Sequence, residues 1–154
     1  MRNKAYVVGT ADTKSEDLSY VVSLLRATGL NTVYVNVGTQ GGDEYVDVAA
    51  SEVAAYHPRG AQAVFSDDRG KAVVEMSKAF TAFMLEQRDV GGVIGLGGSG
   101  GTGLITPAMQ ALPIGVPKVM VSTLASGDVS AYVGASDINM FYPCLLYTSD
   151  AADD

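Results

Sequence analysis

Nine consecutive residues, Gly95-Leu96-Gly97-Gly98-Ser99-Gly100-Gly101-Thr102-Gly103, have the types and spacing to hold a phosphate group. Phosphate oxygens need several N–H donors aimed at one point. Glycines permit the tight turn, and without side chains they let the backbone approach closely. A helix beginning just after such a loop adds unpaired N–H groups and the positive end of its dipole. The hydroxyls of Ser99 and Thr102 are further donors. The letters satisfy G-x-G-x-x-G from Gly95 and again from Gly98. The pattern gains weight from the apolar run before it and the apolar-periodic stretch after it. No Lys follows the glycines, so this is not a Walker A loop. It is also a poor dinucleotide fingerprint, because it does not follow the first strand and no acidic strand end lies about twenty residues on.

Two other loops carry similar chemistry. Gly9-Thr10-Ala11-Asp12-Thr13-Lys14 leaves the first apolar run. Here Asp12 could hold a magnesium ion or could cap a helix, and Lys14 reads as solvated. Ser122-Thr123-Leu124-Ala125-Ser126-Gly127-Asp128 offers hydroxyls for ribose, phosphate or an acyl group. The ligand-contacting set expected from the three loops is Gly9, Thr10, Asp12, Gly97, Gly98, Ser99, Gly100, Gly101, Thr102, Ser122, Ser126 and Gly127. Gly97 to Gly101 matches the nucleophile-elbow pattern G-x-S-x-G literally. A serine-hydrolase reading is poor nonetheless, since His57 is the sole histidine and, standing before Pro58, reads as a loop residue. Asp67-Asp68 reads as a helix cap rather than a metal pair. No catalytic residue is assigned.

The elements that must position these loops follow from periodicity. Lys4 to Val8 is a short β-branched run ending at Gly9, a first strand. Thr13-Lys14-Ser15-Glu16 fits a capping box. Leu18, Val21, Val22 and Leu25 then recur at helical spacing until Gly29. Thr32 to Val37 is a second strand. A polar, Gly-rich loop follows, then a weak helix over Val48 to Tyr56. Asp67 or Asp68 caps a helix striped by Val73, Met76, Phe80, Phe83 and Met84. Val90 to Leu96 is a buried strand. Leu104, Ala108 and Leu112 mark a helix after the glycine loop, complicated by Pro107. Lys118 to Val121 is a strand, and Ala131-Tyr132-Val133 reads as another short one. Alternating strands and helices imply an α/β, Rossmann-like open parallel sheet covered on both faces, with ligands at the carboxyl ends of the strands.

Composition bounds the rest. The chain has 154 residues, 47% hydrophobic and 18% charged, enough for one domain with a real core. The net charge of −7 and the lack of a basic patch disfavour nucleic acid as a partner. No apolar run reaches membrane-spanning length, and no signal peptide is evident, so a cytoplasmic location is expected. Residues 144–154 read like the conceptual translation of a transposase-type sequencing adapter. The natural domain is therefore taken as residues 1–143. Cys144, the single cysteine, falls inside that tail and supports no chemistry.

Gly9 to Lys14, Gly95 to Thr102, Pro117 to Asp128, Tyr132-Val133-Gly134 and Ser136-Asp137-Ile138 occur in this order. Together they resemble the N-terminal domain of the Tm-1-like ATP-binding family, named for a plant protein that blocks tobamovirus RNA replication. The resemblance spans nearly all of residues 3–143. It implies a Rossmann-like domain that binds ATP with the glycine loop at the phosphates, a second α/β domain missing from this chain, and self-association of the full-length protein. Magnesium is expected with ATP. Two alternatives stand beside it: an oxidoreductase or acyl-transfer domain using NAD or coenzyme A, and a non-catalytic module whose nucleotide orders a partner interface.

Overall fold

The computed structural model describes residues 2–143, so the adapter-like tail lies outside the described residues. Five strands form one all-parallel sheet: β1 (Lys4–Gly9), β2 (Asn31–Asn36), β3 (Val90–Gly97), β4 (Lys118–Ser122) and β5 (Asn139–Phe141). Their spatial order is β2-β1-β3-β4-β5. The chain moves from β1 outward to β2, then crosses back to place β3 on the other side of β1. The strand order therefore reverses between β1 and β3. In open parallel sheets that is where a crevice opens beyond the carboxyl ends.

Among the described residues five α-helices cover the sheet: α1 (Ala11–Ala27), α2 (Ala50–Ala54), α3 (Arg69–Glu86), α4 (Ser99–Ala111) and α5 (Ser130–Val133). The alternating side chains of the strands divide the core in two. Val7, Tyr34 and Leu96 pack with Leu18 and Val22 of α1. Tyr6, Val8, Val35, Val93 and Met120 pack on the opposite face with α2, α3 and α4. Met76, Phe80 and Met84 of α3 are almost wholly buried there. Each contributes about 1.5–3 kcal/mol of transfer free energy.

Several expectations need correction. The capping box at Thr13 does not form. Helix α1 begins three residues earlier with Thr10 as its N-cap, and Lys14 (φ −123°, ψ 26°) interrupts its first turn. The Thr13 hydroxyl instead donates to the Thr10 carbonyl and meets the Thr10 hydroxyl. Ala131 to Val133 is helical, within α5, rather than a strand. The strand beside β4 is β5, formed by Asn139 to Phe141, at the sheet edge opposite β2, and the sequence did not announce it. Asp68 caps α3, its carboxylate accepting from Lys71 N at 3.1 Å.

Helix α4 also starts earlier than its apolar spacing suggested, so Ser99 to Gly103 form its first turns rather than a loop. Pro107 lies well inside this helix. The carbonyl its ring would crowd belongs to residue 103, a glycine, whose backbone has room to adjust.

Candidate functional site

The cleft at the β1/β3 reversal has a volume of about 220 Å³. Three helix starts line it: Thr10, Asp12 and Thr13 from α1, Arg69 and Val73 from α3, and Ser99, Gly100, Gly101 and Leu104 from α4. Each helix start carries N–H groups without intrahelical partners and a partial positive charge. The loop after β2 completes the wall with Val37 and Thr39.

The start of α4 is built with care. Gly98 is its N-cap and offers no side chain to occupy the first amides. Ser99 and Gly100, which follow it, are exposed. The Thr102 hydroxyl donates to the Gly98 carbonyl at 2.6 Å and lies 2.6 Å from the Ser122 hydroxyl. Ser122 Oγ in turn accepts from Leu124 N at 3.0 Å. With the Thr102 proton given to Gly98, Ser122 must donate to Thr102. Proton donation therefore runs Leu124, Ser122, Thr102, Gly98, and it fixes the Gly98 carbonyl toward the protein interior. In a trans peptide the N–H opposes the C=O, so the Ser99 N–H faces away from that interior.

Gly97 lets the helix sit so close. A Cβ there would stand 2.9 Å from Gly101 Cα and 3.0 Å from Thr102 N, both backbone atoms that cannot step aside cheaply. Gly9 meets only the flexible end of Leu18.

Asp12 lies in the first turn of α1. One carboxylate oxygen, Oδ2, accepts from Gln40 N at 3.1 Å. The other, Oδ1, is buried and has no hydrogen-bond partner among the described residues. A buried, unpaired carboxylate oxygen is costly unless something else satisfies it. Among the described residues Asp12 is also the one carboxylate lining the cleft. Among the described residues no group of three metal-binding side chains occurs. A cation at Asp12 would therefore take its other ligands from a phosphate-bearing molecule and water, as magnesium commonly does. The residues present fit such an ion.

Asn36 ties two of the walls together. Its buried side chain accepts from Ala11 N (2.9 Å) and Gly38 N (2.8 Å), and donates to Gly41 O (3.0 Å) and Asp43 Oδ1 (2.8 Å). Gly42, at φ +92°, then lies so close to the start of α1 that a Cβ would come within 2.5 Å of Ala11 C and Asp12 N. The loop after β2 is thus clamped onto the segment that carries Asp12.

Of the residues expected to contact a ligand, Thr10, Asp12, Ser99, Gly100 and Gly101 line the cleft directly. Gly9, Gly97, Gly98 and Thr102 form its support. The Ser122 hydroxyl is committed to Thr102 and Leu124, so its contribution here is to position α4. Ser126 and Gly127 are exposed and stand outside the lining. Arg69, Asn36 and Thr39 were not singled out from the sequence. His57 is no simple loop residue either. It is buried, its Nδ1 accepts from Arg59 N at 3.0 Å, and its Nε2 meets Glu75 Oε2. This places the ring proton on Nε2. The His57 bond, with help from Lys78 and Arg59 and against the cost of burial, holds the Glu75 carboxyl down at about 2.

Fold and cleft together define a doubly wound, Rossmann-like α/β domain whose strand reversal is ringed by helix starts. The sequence comparisons then make the assignment specific. Residues 3–145 match the model of an uncharacterised protein family (UPF0261), N-terminal domain, and the chain belongs to that family. It is 55% identical over 138 residues to a UPF0261 protein of Rhizobium meliloti, covering 89% of this chain and 35% of that protein. It is 39% identical over 147 residues to one from Clostridium tetani, covering 92% of this chain and 36% of the other. It is also similar to the ToMV resistance protein Tm-1(GCR237) of Solanum lycopersicum, at 36% identity over 159 residues, 90% of this chain and 21% of the tomato protein. The chain thus spans about a third of the bacterial relatives and a fifth of the tomato protein.

Proposed function

We propose that this domain binds a nucleoside triphosphate, ATP, with its phosphates on the amides at the start of α4 and with magnesium at Asp12. The carrying observation is the convergence of three helix starts on one cleft at the strand reversal, one of them capped by a glycine that leaves its amides open. The unpaired Asp12 oxygen supports the cation. In this reading the nucleotide serves a larger protein that contains a further domain, self-associates and works in the cytoplasm. The virus resistance in the tomato protein's name concerns that protein, and we do not carry it over.

A thermal-unfolding panel tests the reading. ATP with magnesium should raise the midpoint in a concentration-dependent way, while NAD and coenzyme A should not. Stabilisation by NAD alone would overturn it.

A further inference from the structure

We infer that Arg69 counts phosphates: it is the specificity-determining residue that makes this cleft prefer a nucleoside triphosphate to a diphosphate. The inference rests on the phosphate-binding reading above and extends it to a residue on a separate element.

Four observations carry it. Among the described residues, Arg69 is the only cationic side chain lining the cleft. It is exposed, and its guanidinium makes no ion pair or hydrogen bond among the described residues. It belongs to the first turn of an 18-residue helix whose start is pinned by the Asp68 cap, so its backbone is fixed while its side chain remains available. It lines the cleft alongside Val73 and together with Ser99 to Gly101 of α4, so a ligand seated on those amides lies within one small space with it.

The charge arithmetic then points one way. Backbone amides and helix ends supply partial charges that suffice for one or two phosphates. Asp12 adds a negative charge to the same space, which a magnesium ion offsets. Each further phosphate brings negative charge that only a full cation can meet, and a guanidinium meets phosphate with a planar, two-pronged donor set. An arginine held ready at the rim, without an intramolecular carboxylate, is the group for that task.

The test uses the 154-residue chain with Arg69→Ala and Arg69→Lys. ATP and ADP affinities are measured by calorimetry at fixed magnesium, and circular dichroism verifies the fold. The wild type should bind ATP more tightly than ADP. Arg69→Ala should weaken ATP on the order of tenfold to a hundredfold and ADP by no more than about threefold, as expected for losing a charge-assisted bond to one phosphate. Arg69→Lys should recover part of the loss, because it restores charge without the fork. A folded Arg69→Ala variant that keeps the wild-type ATP-to-ADP ratio overturns the role of Arg69 and leaves phosphate binding standing. Failure of the wild type to bind either nucleotide removes the phosphate reading, and this inference with it.

Discussion

The hydroxyl oxygens of Thr102 and Ser122 lie 2.6 Å apart in the interior, one at the start of α4 and the other at the end of β4. Both residues are fully buried. Their contact joins the carboxyl end of a strand to the Gly98 carbonyl, and so sets the orientation of the amides that open onto the cleft.

Replacing Thr102 with Val keeps the shape but removes that link and leaves the Ser122 hydroxyl proton without an acceptor, its oxygen still accepting from Leu124 N. Leaving a buried polar group unsatisfied costs about 1–3 kcal/mol. The urea midpoint of Thr102→Val should fall accordingly. Nucleotide affinity should fall with it, because the Gly98 carbonyl then keeps only its bond from Thr102 N at 2.9 Å. A midpoint equal to wild type would show that the hydroxyl chain holds nothing.

Gly98→Val should abolish nucleotide binding with the fold largely kept. The N-cap has a negative φ, −84°, with an uncommon ψ of −149°, so circular dichroism should verify that the helix still forms in the variant. The added branches would crowd the space over the first amides. Isothermal titration with ATP checks this, and unchanged affinity would refute the assignment of the phosphates to α4.

Asp12→Asn should uncouple ATP binding from magnesium. The substitution keeps the size of the side chain and an acceptor for Gln40 N, but removes the charge on the buried oxygen. Titrating magnesium at constant ATP should raise affinity in the wild type and leave the variant flat. An equal magnesium response in both would place the ion elsewhere.

Acid should weaken the fold in a defined window. The His57 bond lowers Glu75 from its ordinary 4.5 to about 2. The Lys118 bond, with Gly115 N, lowers Asp137 from 3.8 to about 2. For a carboxyl depressed in the folded state, the unfolded chain binds protons first as pH falls. The stabilisation is therefore complete above about pH 4.5 and drains away down to about pH 2. Denaturation midpoints measured across that range should decline, and Glu75→Gln should make the decline shallower. A profile identical in the variant would remove Glu75 from the account.

The sequence disclosed much of this architecture because strands and helices announce themselves by period. The stripe Met76, Phe80, Phe83 and Met84 returned as the buried face of α3, and Val90 to Leu96 as a central strand. Misreadings fell where local preference and tertiary context disagree. Gly100, Gly101 and Gly103 are poor helix formers, so the first turns of α4 looked like loop. Tertiary packing overrides that preference: the helix seats closely on Gly97, where a Cβ would stand 2.9 Å from Gly101 Cα, while a Cβ on Gly101 or Gly103 would meet nothing nearer than 3.8 Å. Ala131 to Val133 looked like a strand because Tyr and Val favour one, yet they form a single helical turn. Arg69 was illegible for another reason. Thirty positions separate it from Ser99, and at the head of a polar helix start it resembles any solvated arginine. Only the return of α3 beside α4 brings it to the cleft.

The four bonds of Asn36 have a mechanical consequence. Because one rigid amide grips both the root of α1 and the ribbon from Gly38 to Asp43, neither segment can swing without dragging the other. Whatever quiets Asp12 will also quiet the far end of that ribbon at Gly41 and Asp43, which does not line the cleft, and slowed deuterium uptake there would report occupancy.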